Sequence, residues 1–346
     1  MQEIEIKGIR GYIEGKALII DSEEELRVLS SGVLNGGFYK TRRIVNMQIP
    51  HDYKGKTPED DLMEFGESTV GMMTAVDLKN LCISNLDKVC AISTAGILGK
   101  TINVVLLIDA NLCSSAMVEA LTGLTEAKVQ ALNALDLRDN SNARYGTPTD
   151  SSLVACTSRG ERIRFAGSAT ELGKSIRKTT KSSVFGALMK EEKLKSSRTL
   201  MKRMEERGIF VKDLLDVEER LYIENEELSK HEFLRIFERE LERISEDINV
   251  SSLIMAALRL DEDGKAGLIP NLKKDEFSKD PIHLLADEIL GMQIASYIGG
   301  TQAIFEFLRI EREKPKIISE LDVFADDAIS GLLAGISAKI FSEVRR

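Results

Sequence analysis

The sequence lacks tryptophan and is poor in aromatic residues, which make up 5% of its 346 positions. Proteins that bind single-stranded nucleic acid by stacking need aromatic rings, so this composition argues against that class. The net charge of −9 points the same way, because an acidic surface repels phosphate backbones. The whole excess falls after residue 195, where it forms either a solvated acidic surface or a place for cations. We therefore predict no nucleic-acid partner.

Histidine is scarce, and the common catalytic motifs are missing. His51 is the only histidine in the first 200 residues, and no Gly-x-Ser-x-Gly elbow accompanies it. This argues against a Ser-His-Asp triad. The sequence also contains neither a His-Glu-x-x-His zinc motif nor a phosphate-binding P-loop. A hydrolase built on this chain would have to use other groups.

The four cysteines and the apolar runs indicate the setting of the protein. The cysteines form no Cys-x-x-Cys pair and sit among apolar residues, which is typical of buried reduced thiols. No charged and then apolar signal segment opens the chain, so we expect a cytoplasmic protein. The longest weakly polar run, about residues 289–305, is shorter and more polar than a membrane helix. We therefore predict no membrane span.

The pattern of apolar residues predicts two domains. The first reads as strands and turns followed by long helices, which is typical of an α+β fold with a layered mixed sheet. The second shows only helical spacing, so we predict an all-α domain. The charged segment 190–198 between them is the predicted linker, which gives domains over residues 1–193 and 199–346. The main elements predicted in the first domain are a hairpin around Gly15, strands over 89–93, 102–108 and 152–157, and helices over 114–135 and 171–190.

Polar and glycine-rich segments stand at the ends of the predicted strands. They are residues 30–37, 44–46 and 94–96, and further polar segments follow at 101–103, 125–128 and 146–151. Loops at strand ends commonly carry binding sites, and glycine lets a backbone approach a ligand closely. Taken singly, each has a simpler interpretation: Asn35-Gly36 as a hairpin turn, residues 147–151 as a turn or helix cap, and Glu126 and Lys128 as solvated charges.

Taken in order, these segments resemble the adenosylcobinamide amidohydrolase family over about residues 25–190. The resemblance rests on Ser-Ser-Gly…Asn-Gly-Gly in 30–37, Thr-Ile-Asn at 101–103, Thr-Glu-Ala-Lys at 125–128 and Gly-Thr-x-Thr-Asp-Ser at 146–151. It implies hydrolysis of the amide that joins aminopropanol to the corrin ring of adenosylcobinamide, which yields adenosylcobyric acid.

Amide hydrolysis needs an activated water or nucleophile, a proton donor for the leaving amine and hydrogen bonds to an oxyanion. Asp150 or Glu126 is the candidate base. Thr149 or Ser151 is the candidate nucleophile, or else binds substrate amides. Asn35 is the candidate donor to the oxyanion, together with the backbone that follows it. The candidate substrate-binding residues of this half are Gly36, Gly37, Asn46, Asn103, Lys128 and Thr147.

The second half places carboxylates inside apolar helices. Asp287 and Gly291 are four residues apart and share a helix face, and Asp327 precedes Gly331 and Gly335 in the same way. Glycine costs about 1 kcal/mol inside a helix, so we expect close helix packing beside these acids. Converging carboxylates would suit Mg²⁺, which prefers oxygen ligands.

The alternative is that these acids have no metal. Asp326 would then be a helix cap, and Asp287 and Glu288 would be solvated or salt-bridged. Adjacent residues point about 100° apart on a helix, so we do not expect both Asp287 and Glu288 to bind one ion directly.

This half resembles the phosphatidylglycerophosphatase A superfamily over about residues 245–346. Asp-Glu-hydrophobic-hydrophobic-Gly-Met, Lys-Pro after an acidic residue, and Asp-Asp-x-Ile-x-Gly match in order. Two positions depart from the pattern: Glu311 stands where Asp is usual, and Lys316 where Gly is frequent. The lack of membrane helices makes it more similar to the soluble, archaeal-type α-ribazole phosphatases.

The second resemblance implies a Mg²⁺-dependent phosphatase that converts α-ribazole phosphate to α-ribazole. The candidate catalytic residues are Asp287, Glu288, Lys314 and Asp327. The candidate metal ligands are Asp287, Glu288, Glu311, Asp326 and Asp327, and Arg309 is a candidate phosphate contact.

Together the two halves resemble a bifunctional hydrolase of corrinoid salvage, acting on small molecules. The alternative is a soluble phosphatidylglycerophosphatase-like phosphatase fused to a corrinoid-binding domain without catalytic activity. The residues leave open a homo-oligomer, the nucleophile of amide cleavage and a metal in the first site.

Overall fold

The computed structural model describes residues 3–55, 57–97, 100–139, 142–192, 198–224 and 226–344. The chain divides into two compact units, Met1–Ser197 and Arg198–Arg346. The first contains a mixed sheet with helices, and the second is mostly helical, as the sequence predicts. Most of the predicted linker lies outside the described residues, and its first two residues belong to the preceding helix.

Within the described part of the first unit, eight strands form one mixed sheet. Its order is β4-β3-β2-β11-β7-β6-β5, with β1 also paired to β2. The pairs β3–β4 and β7–β11 are parallel, and the remaining pairs are antiparallel. The strands of this sheet are β1 Ile9–Glu14, β2 Ala17–Ser30, β3 Gly37–Gln48, β4 Val70–Thr74, β5 Cys82–Leu86, β6 Val89–Ala95, β7 Ile102–Ile108 and β11 Ser151–Cys156.

Short elements complete the unit. Two small two-stranded sheets are formed by β8 Asn111–Leu112 with β12 Arg162–Ile163, and by β9 Arg138–Asp139 with β10 Asn142–Ala143. The helices are α1 Pro58–Met63, α2 Ser114–Ala134 and α3 Glu171–Glu191. Cys113 occupies the cap position of α2, and its side chain makes no capping hydrogen bond.

Both faces of the central strands are covered, which explains the continuous apolar run of β7. Val104 and Leu106 pack against α2 and α3, whereas Val105 and Leu107 face a second core lined by β2, β3 and β4. Residues alternate between faces along a strand, so a strand buried on both sides must be apolar throughout. The same argument applies to β6, whose seven residues are all buried.

The sheet curls, and this curl creates the first candidate site. Strand β2 carries an irregularity in its pairing with β3 between Asp21 and Leu26, and such bulges increase the local bend and twist. Strands β2 and β11 separate β3 from β7 in the sheet order. Nevertheless, Asn103 at the start of β7 hydrogen-bonds both Asn46 of β3 and the Met73 carbonyl of β4. The carboxyl ends of β3 and β4 therefore meet the amino ends of β7 and β11.

The second unit is a bundle around its last helix. Helix α12 is buried almost continuously from Phe324 to Ser337 because other helices of the unit surround it. The helices are α4 Leu200–Glu205, α5 Val211–Leu221, α6 Lys230–Ser245, α7 Ile248–Ala266, α8 Lys274–Phe277, α9 Ala286–Gly299, α10 Ala303–Glu313, α11 Lys316–Glu320 and α12 Val323–Val344. Across the residues described, no helix is both long and apolar enough to cross a bilayer.

Glycines bring α9 and α12 into backbone contact. A Cβ added to Gly331 would lie 2.2 Å from the Gly291 carbonyl oxygen, and one added to Gly291 would lie 2.5 Å from the Asp327 carbonyl oxygen. The predicted close helix packing beside the acids is thus confirmed. It places the amino-terminal turns of both helices side by side.

Candidate functional site

Asn103 is the centre of a buried polar cluster in the first unit. Its Nδ2 donates to Asn46 Oδ1 at 3.0 Å and to the Met73 carbonyl at 2.7 Å, and its Oδ1 accepts the Ser151 N–H at 3.1 Å. Asn46 in turn donates to Thr94 Oγ1 at 3.0 Å. These side chains are at most 7% exposed, so each depends on the others for its hydrogen bonds. We call Asn46, Thr94, Asn103 and Ser151 the strand-end cluster.

Asp150 lies beside this cluster and holds the loop before β11. One oxygen accepts from the Ile102 N–H at 2.9 Å and the Thr147 hydroxyl at 2.5 Å. The other accepts from Lys128 Nζ at 2.7 Å and the Thr147 N–H at 3.1 Å. The side chains of Lys128 and Asp150 are each 10% exposed. Thus the structure brings together Lys128, Thr147 and Asp150, which the sequence predicted as site residues.

The β2–β3 connection forms one wall of the same region. Ser31 Oγ lies 3.5 Å from Ser151 Oγ and accepts the Ser152 N–H at 3.0 Å. Ser31 was part of a predicted segment but not a predicted site residue, because only the pairing of β2 with β11 brings it to Ser151. Thr149, in the loop before β11, is exposed.

Asn35, Gly36 and Gly37 shape the chain in this connection. Asn35 has a positive φ of 52°, and its Nδ2 donates to the carbonyls of Glu67 and Thr69, both at 2.8 Å. A Cβ on Gly36 would lie 2.6 Å from the Gly32 carbonyl oxygen, and Gly37 has φ +80°. The turn interpretation therefore fits this segment, and the Asn35 amide protons are already used within the protein.

Glu126 lies away from the strand-end cluster. It is on α2 two positions from Lys128, which turns it about 200° around the helix. Its carboxylate pairs with Arg177 of α3, with Nε to Oε2 at 2.8 Å. The structure therefore brings Lys128 to the site and leaves Glu126 outside it, which corrects the expectation that Glu126 is a candidate base.

In the second unit, carboxylates of three helices converge. Ligand oxygens of Asp287, Glu288 and Asp327 all lie within 4.8 Å of one another. Asp287 is 1% and Asp327 4% exposed. The negative charges of Glu311, on α10, and of Asp326 also act on Asp327. We call Asp287, Glu288, Glu311, Asp326 and Asp327 the acidic cluster.

Burial and mutual repulsion raise the pKa values of carboxyl groups in the acidic cluster. Burial, followed by the charges of Glu311, Asp326 and Asp287, raises the pKa of Asp327 well above its usual range. Burial and the hydrogen bond with Glu288 raise the pKa of Asp287 in the same direction. Burial also raises the pKa of Asp326, to about 6, although Lys314 opposes this shift. Like charges this close cannot all be ionised without a compensating cation.

A divalent cation fits these residues. Oε2 of Glu288, Oε1 of Glu311 and Oδ1 of Asp327 are buried and make no hydrogen bond. Buried polar atoms are nearly always satisfied, so three unsatisfied acidic oxygens in one cluster suit a partner that offers protons or positive charge. All donors are carboxylate oxygens, the ligands that Mg²⁺ prefers.

Lys314 supplies one positive charge to the acidic cluster. Its Nζ lies 2.6 Å from Asp326 Oδ2 and 3.3 Å from Glu311 Oε2. Burial lowers the pKa of Lys314, but these two carboxylates outweigh it and raise the pKa above its ordinary value. Lys314 ends α10 with φ +33°, a left-handed conformation that is uncommon outside glycine.

Arg309 is not brought to the acidic cluster, contrary to the predicted phosphate contact. It lies two positions before Glu311 on α10 and therefore on nearly the opposite side of the helix. Its Nε donates to Glu306 at 3.1 Å, and its Nη1 donates to the Leu221 carbonyl at 2.9 Å. Its charge is used within the bundle.

Three further expectations for this region do not fit the structure. Asp326 is not a helix cap, because it lies in the first turn of α12 and binds Lys314. Asp287 is buried rather than solvated. Asp287 and Glu288 also approach one point despite being adjacent, since both stand in the first turn of α9 and their flexible side chains bring oxygens together. Lys316 begins α11, and its side chain lies outside the described residues.

The chain is similar to three proteins of Methanosarcina mazei and Methanocaldococcus jannaschii. The adenosylcobinamide amidohydrolase of Methanosarcina mazei is 31% identical over 188 residues, 48% of this chain and 90% of that protein. The uncharacterized protein MJ1330 of Methanocaldococcus jannaschii is 45% identical over 97 residues, 27% of this chain and 73% of that protein. The uncharacterized protein MJ1613 of the same organism is 28% identical over 242 residues, 56% and 92% of the two chains.

Two solved structures are similar to part of the fold. The low temperature requirement C protein from Listeria monocytogenes has a TM-score of 0.37 and 20% identity. A protein of unknown function from Bacillus stearothermophilus has a TM-score of 0.35 and 18% identity. In each comparison 42% of this chain and 92% of the other chain are covered.

The family comparison covers the whole sheet-containing unit. Residues 2–196 match the family model described as adenosylcobinamide amidohydrolase. The matched range includes the strand-end cluster and the Lys128–Asp150 pair. The chain therefore belongs to the adenosylcobinamide amidohydrolase family.

Proposed function

We propose that the first unit hydrolyses the amide between aminopropanol and the corrin ring of adenosylcobinamide. Family membership supports this activity, and one structural observation carries its location. Predicted site residues from separate segments, Asn46, Asn103, Lys128, Thr147 and Asp150, come together beside Ser151 where β7 and β11 begin. A buried charged pair next to a serine hydroxyl suits polarisation and hydrolysis of an amide.

Asp150 accepts four hydrogen bonds within the protein. It can act as a base only if one of these donors is replaced by the substrate or a water when the substrate binds. Its other contribution is to hold Lys128, whose ammonium can stabilise negative charge that develops on the amide oxygen. Ser151 or Thr149 is the proposed nucleophile or substrate contact. Ser151 has its backbone fixed by Asn103, whereas Thr149 is exposed, and this difference favours Ser151 as the better positioned group.

We further propose that the second unit is a Mg²⁺-dependent phosphatase acting on α-ribazole phosphate. The unsatisfied oxygens of the acidic cluster carry this second proposal. Asp287, Glu288 and Asp327 would hold the cation, with Glu311 and Asp326 close by. Bound Mg²⁺ would lower the pKa of a water molecule that it holds, and it would neutralise charge on the phosphoryl oxygens. Lys314 stands beside the cluster, where its ammonium can bind the phosphate in exchange for a carboxylate partner.

A mass-spectrometric assay of the purified protein tests both activities. Adenosylcobinamide and α-ribazole phosphate are supplied separately, each with Mg²⁺ or with EDTA. We expect adenosylcobyric acid from the first and EDTA-sensitive release of α-ribazole from the second. Turnover of phosphatidylglycerophosphate instead of α-ribazole phosphate would favour a lipid phosphatase. Tight cobinamide binding without release of aminopropanol would favour a corrinoid-binding protein.

Single substitutions separate the two sites. Asp327→Asn should abolish phosphatase activity and leave amide hydrolysis intact, because the carboxylate lies in the second unit only. Asp216→Asn, at an exposed position of α5, is the matched control and should preserve both activities. Phosphate release by Asp327→Asn at the wild-type rate would remove the acidic cluster from the proposal.

A further inference from the structure

Most polar groups in the strand-end cluster and beside it already make hydrogen bonds to other protein atoms. Asn103 uses both amide ends, and Asp150 accepts four hydrogen bonds. Asn35 spends both of its amide protons on carbonyls of another loop. Groups in this state position their neighbours and are poorly available to a substrate. The group that contacts the substrate should therefore be one with unused hydrogen-bonding capacity.

Ser31 has that capacity and is exposed to solvent. Its Oγ accepts the Ser152 N–H at 3.0 Å, which leaves the hydroxyl proton to be donated. The acceptors near it are Ser151 Oγ and the Ser152 carbonyl, both at 3.5 Å. These distances are long for an O–H···O hydrogen bond, which is usually 2.5–3.0 Å. Neither acceptor therefore holds the proton firmly.

The backbone of Ser31 is fixed on both sides. Its N–H donates to the Ser152 carbonyl at 2.9 Å, as an extension of the β2–β11 pairing. The next residue, Gly32, packs so closely that an added Cβ would lie 2.6 Å from the Gly71 carbonyl oxygen. A donor held in place before the reaction stabilises charge at little reorganisation cost. Ser31 is thus both fixed in position and free to donate.

We propose that Ser31 is a catalytic residue of the amide site. Its hydroxyl donates a hydrogen bond to the carbonyl oxygen of the scissile amide, and the bond strengthens as that oxygen gains negative charge. Ser151 Oγ, 3.5 Å away, stands on the same side of the site. This inference rests on the proposed amidohydrolase function and adds to it a residue that acts on the reacting atoms.

Steady-state hydrolysis of adenosylcobinamide by the full-length protein tests the inference. Removing one such donor typically lowers kcat by about 10²–10³-fold. The kcat of Ser31→Ala should therefore be about 100-fold lower than that of the wild type, with KM changed by less than about threefold. Ser152→Ala is the matched control, because it removes a neighbouring hydroxyl and keeps the backbone groups that bind Ser31. We expect it to retain most of the wild-type kcat.

Each outcome supports or overturns the catalytic role of Ser31. Wild-type kcat in Ser31→Ala, or a loss expressed only in KM, overturns the catalytic role. If Ser31→Ala does not fold, by thermal melting, the similarly shaped pair Ser31→Thr and Ser31→Val replaces it. Thr should then be at least tenfold faster than Val, and equal rates overturn the role. A wild-type protein that releases no adenosylcobyric acid overturns the proposed function, and this inference with it.

Discussion

Asp150 and Lys128 form a nearly buried ion pair, and each depends on the other. Removing one partner of such a pair leaves an uncompensated charge and costs about 3–5 kcal/mol. Asp150→Asn should therefore lower the free energy of unfolding by roughly that amount, and should abolish adenosylcobinamide hydrolysis. Urea unfolding of the variant and the mass-spectrometric assay measure the two effects.

The double variant Lys128→Met/Asp150→Asn separates stability from chemistry. It removes both charges, so we expect it to regain part of the stability lost in Asp150→Asn while staying inactive. A double variant that recovers activity along with stability would show that the pair only supports the fold. Asp52→Asn, at an exposed position of the same unit, controls for a general effect of removing a carboxylate.

Glu218 gives the second unit a pH dependence of stability. It is 2% exposed, accepts a hydrogen bond from Ser337 and has one oxygen without a partner. Burial raises the pKa of Glu218 from 4.5 to about 8. Between these values the unfolded chain releases a proton that the folded protein keeps, so its contribution to stability is full below 4.5 and is lost as the pH rises towards 8.

The variant Glu218→Gln tests this contribution, because glutamine resembles the protonated acid. Its stability relative to wild type should increase from about pH 5 to about pH 9, by on the order of 2–4 kcal/mol. Thermal unfolding of both proteins across that range measures the difference. A difference that does not change with pH would mean that Glu218 titrates normally in the fold.

At the scale of elements, the same substitution should have opposite effects in two helices. Gly331→Ala places a methyl group against the backbone of α9, and overpacking of this kind costs about 1–3 kcal/mol. In Gly123→Ala the new methyl meets only the end of the Arg177 side chain, which can move. The gain in helix propensity, about 1 kcal/mol, then makes this variant neutral or more stable. Urea unfolding of the two variants measures the contrast.

The elements with the strongest patterns were predicted from sequence. The apolar run of β7 and the 21-residue helix α2 lie where the pattern places them, because local periodicity reports which faces are buried. The pattern could not separate Glu126 from Lys128, since that depends on which side of α2 meets α3. It also could not place Ser31 beside Ser151, which requires the pairing of strands 120 residues apart.

The roles of the acids in the second unit were only partly predictable. The sequence identified Asp287 and Asp327 from their spacing to glycine, and the helix contact explains that spacing. It wrongly added Arg309, because the residue order alone does not show which face of α10 turns towards α12. Local spacing fixes what shares a face, and tertiary packing decides what that face meets.

At the scale of the whole molecule, each unit has its own hydrophobic core. The cores of the first unit use residues between Ile6 and Leu188, and the core of the second uses residues between Leu200 and Ile340. We therefore expect two transitions in calorimetric unfolding of the full chain. Mg²⁺ should raise the unfolding temperature of the second unit only. At a hundredfold excess over its Kd, it should increase the free energy of unfolding of that unit by about 2.7 kcal/mol.

The Asp327→Asn variant is the control for this measurement. It should show both transitions, and Mg²⁺ should move neither of them. A shift of the first transition by Mg²⁺ would place a metal in the amide site instead. A single transition would mean that the two units unfold cooperatively.

The backbone contact between α9 and α12 has a consequence for ion choice. Gly291 and Gly331 leave no room for the two helices to move closer, and the buried side chains around them resist separation. The backbone positions that carry Asp287 and Asp327 are thus held at nearly constant spacing, although the carboxylate side chains can still turn. Ca²⁺ needs ligand distances of about 2.3–2.6 Å and Mg²⁺ about 2.0–2.1 Å, so a frame that cannot expand discriminates by ionic radius. If the second unit binds a divalent cation as proposed, these two glycines would favour the smaller ion without supplying any ligand atom.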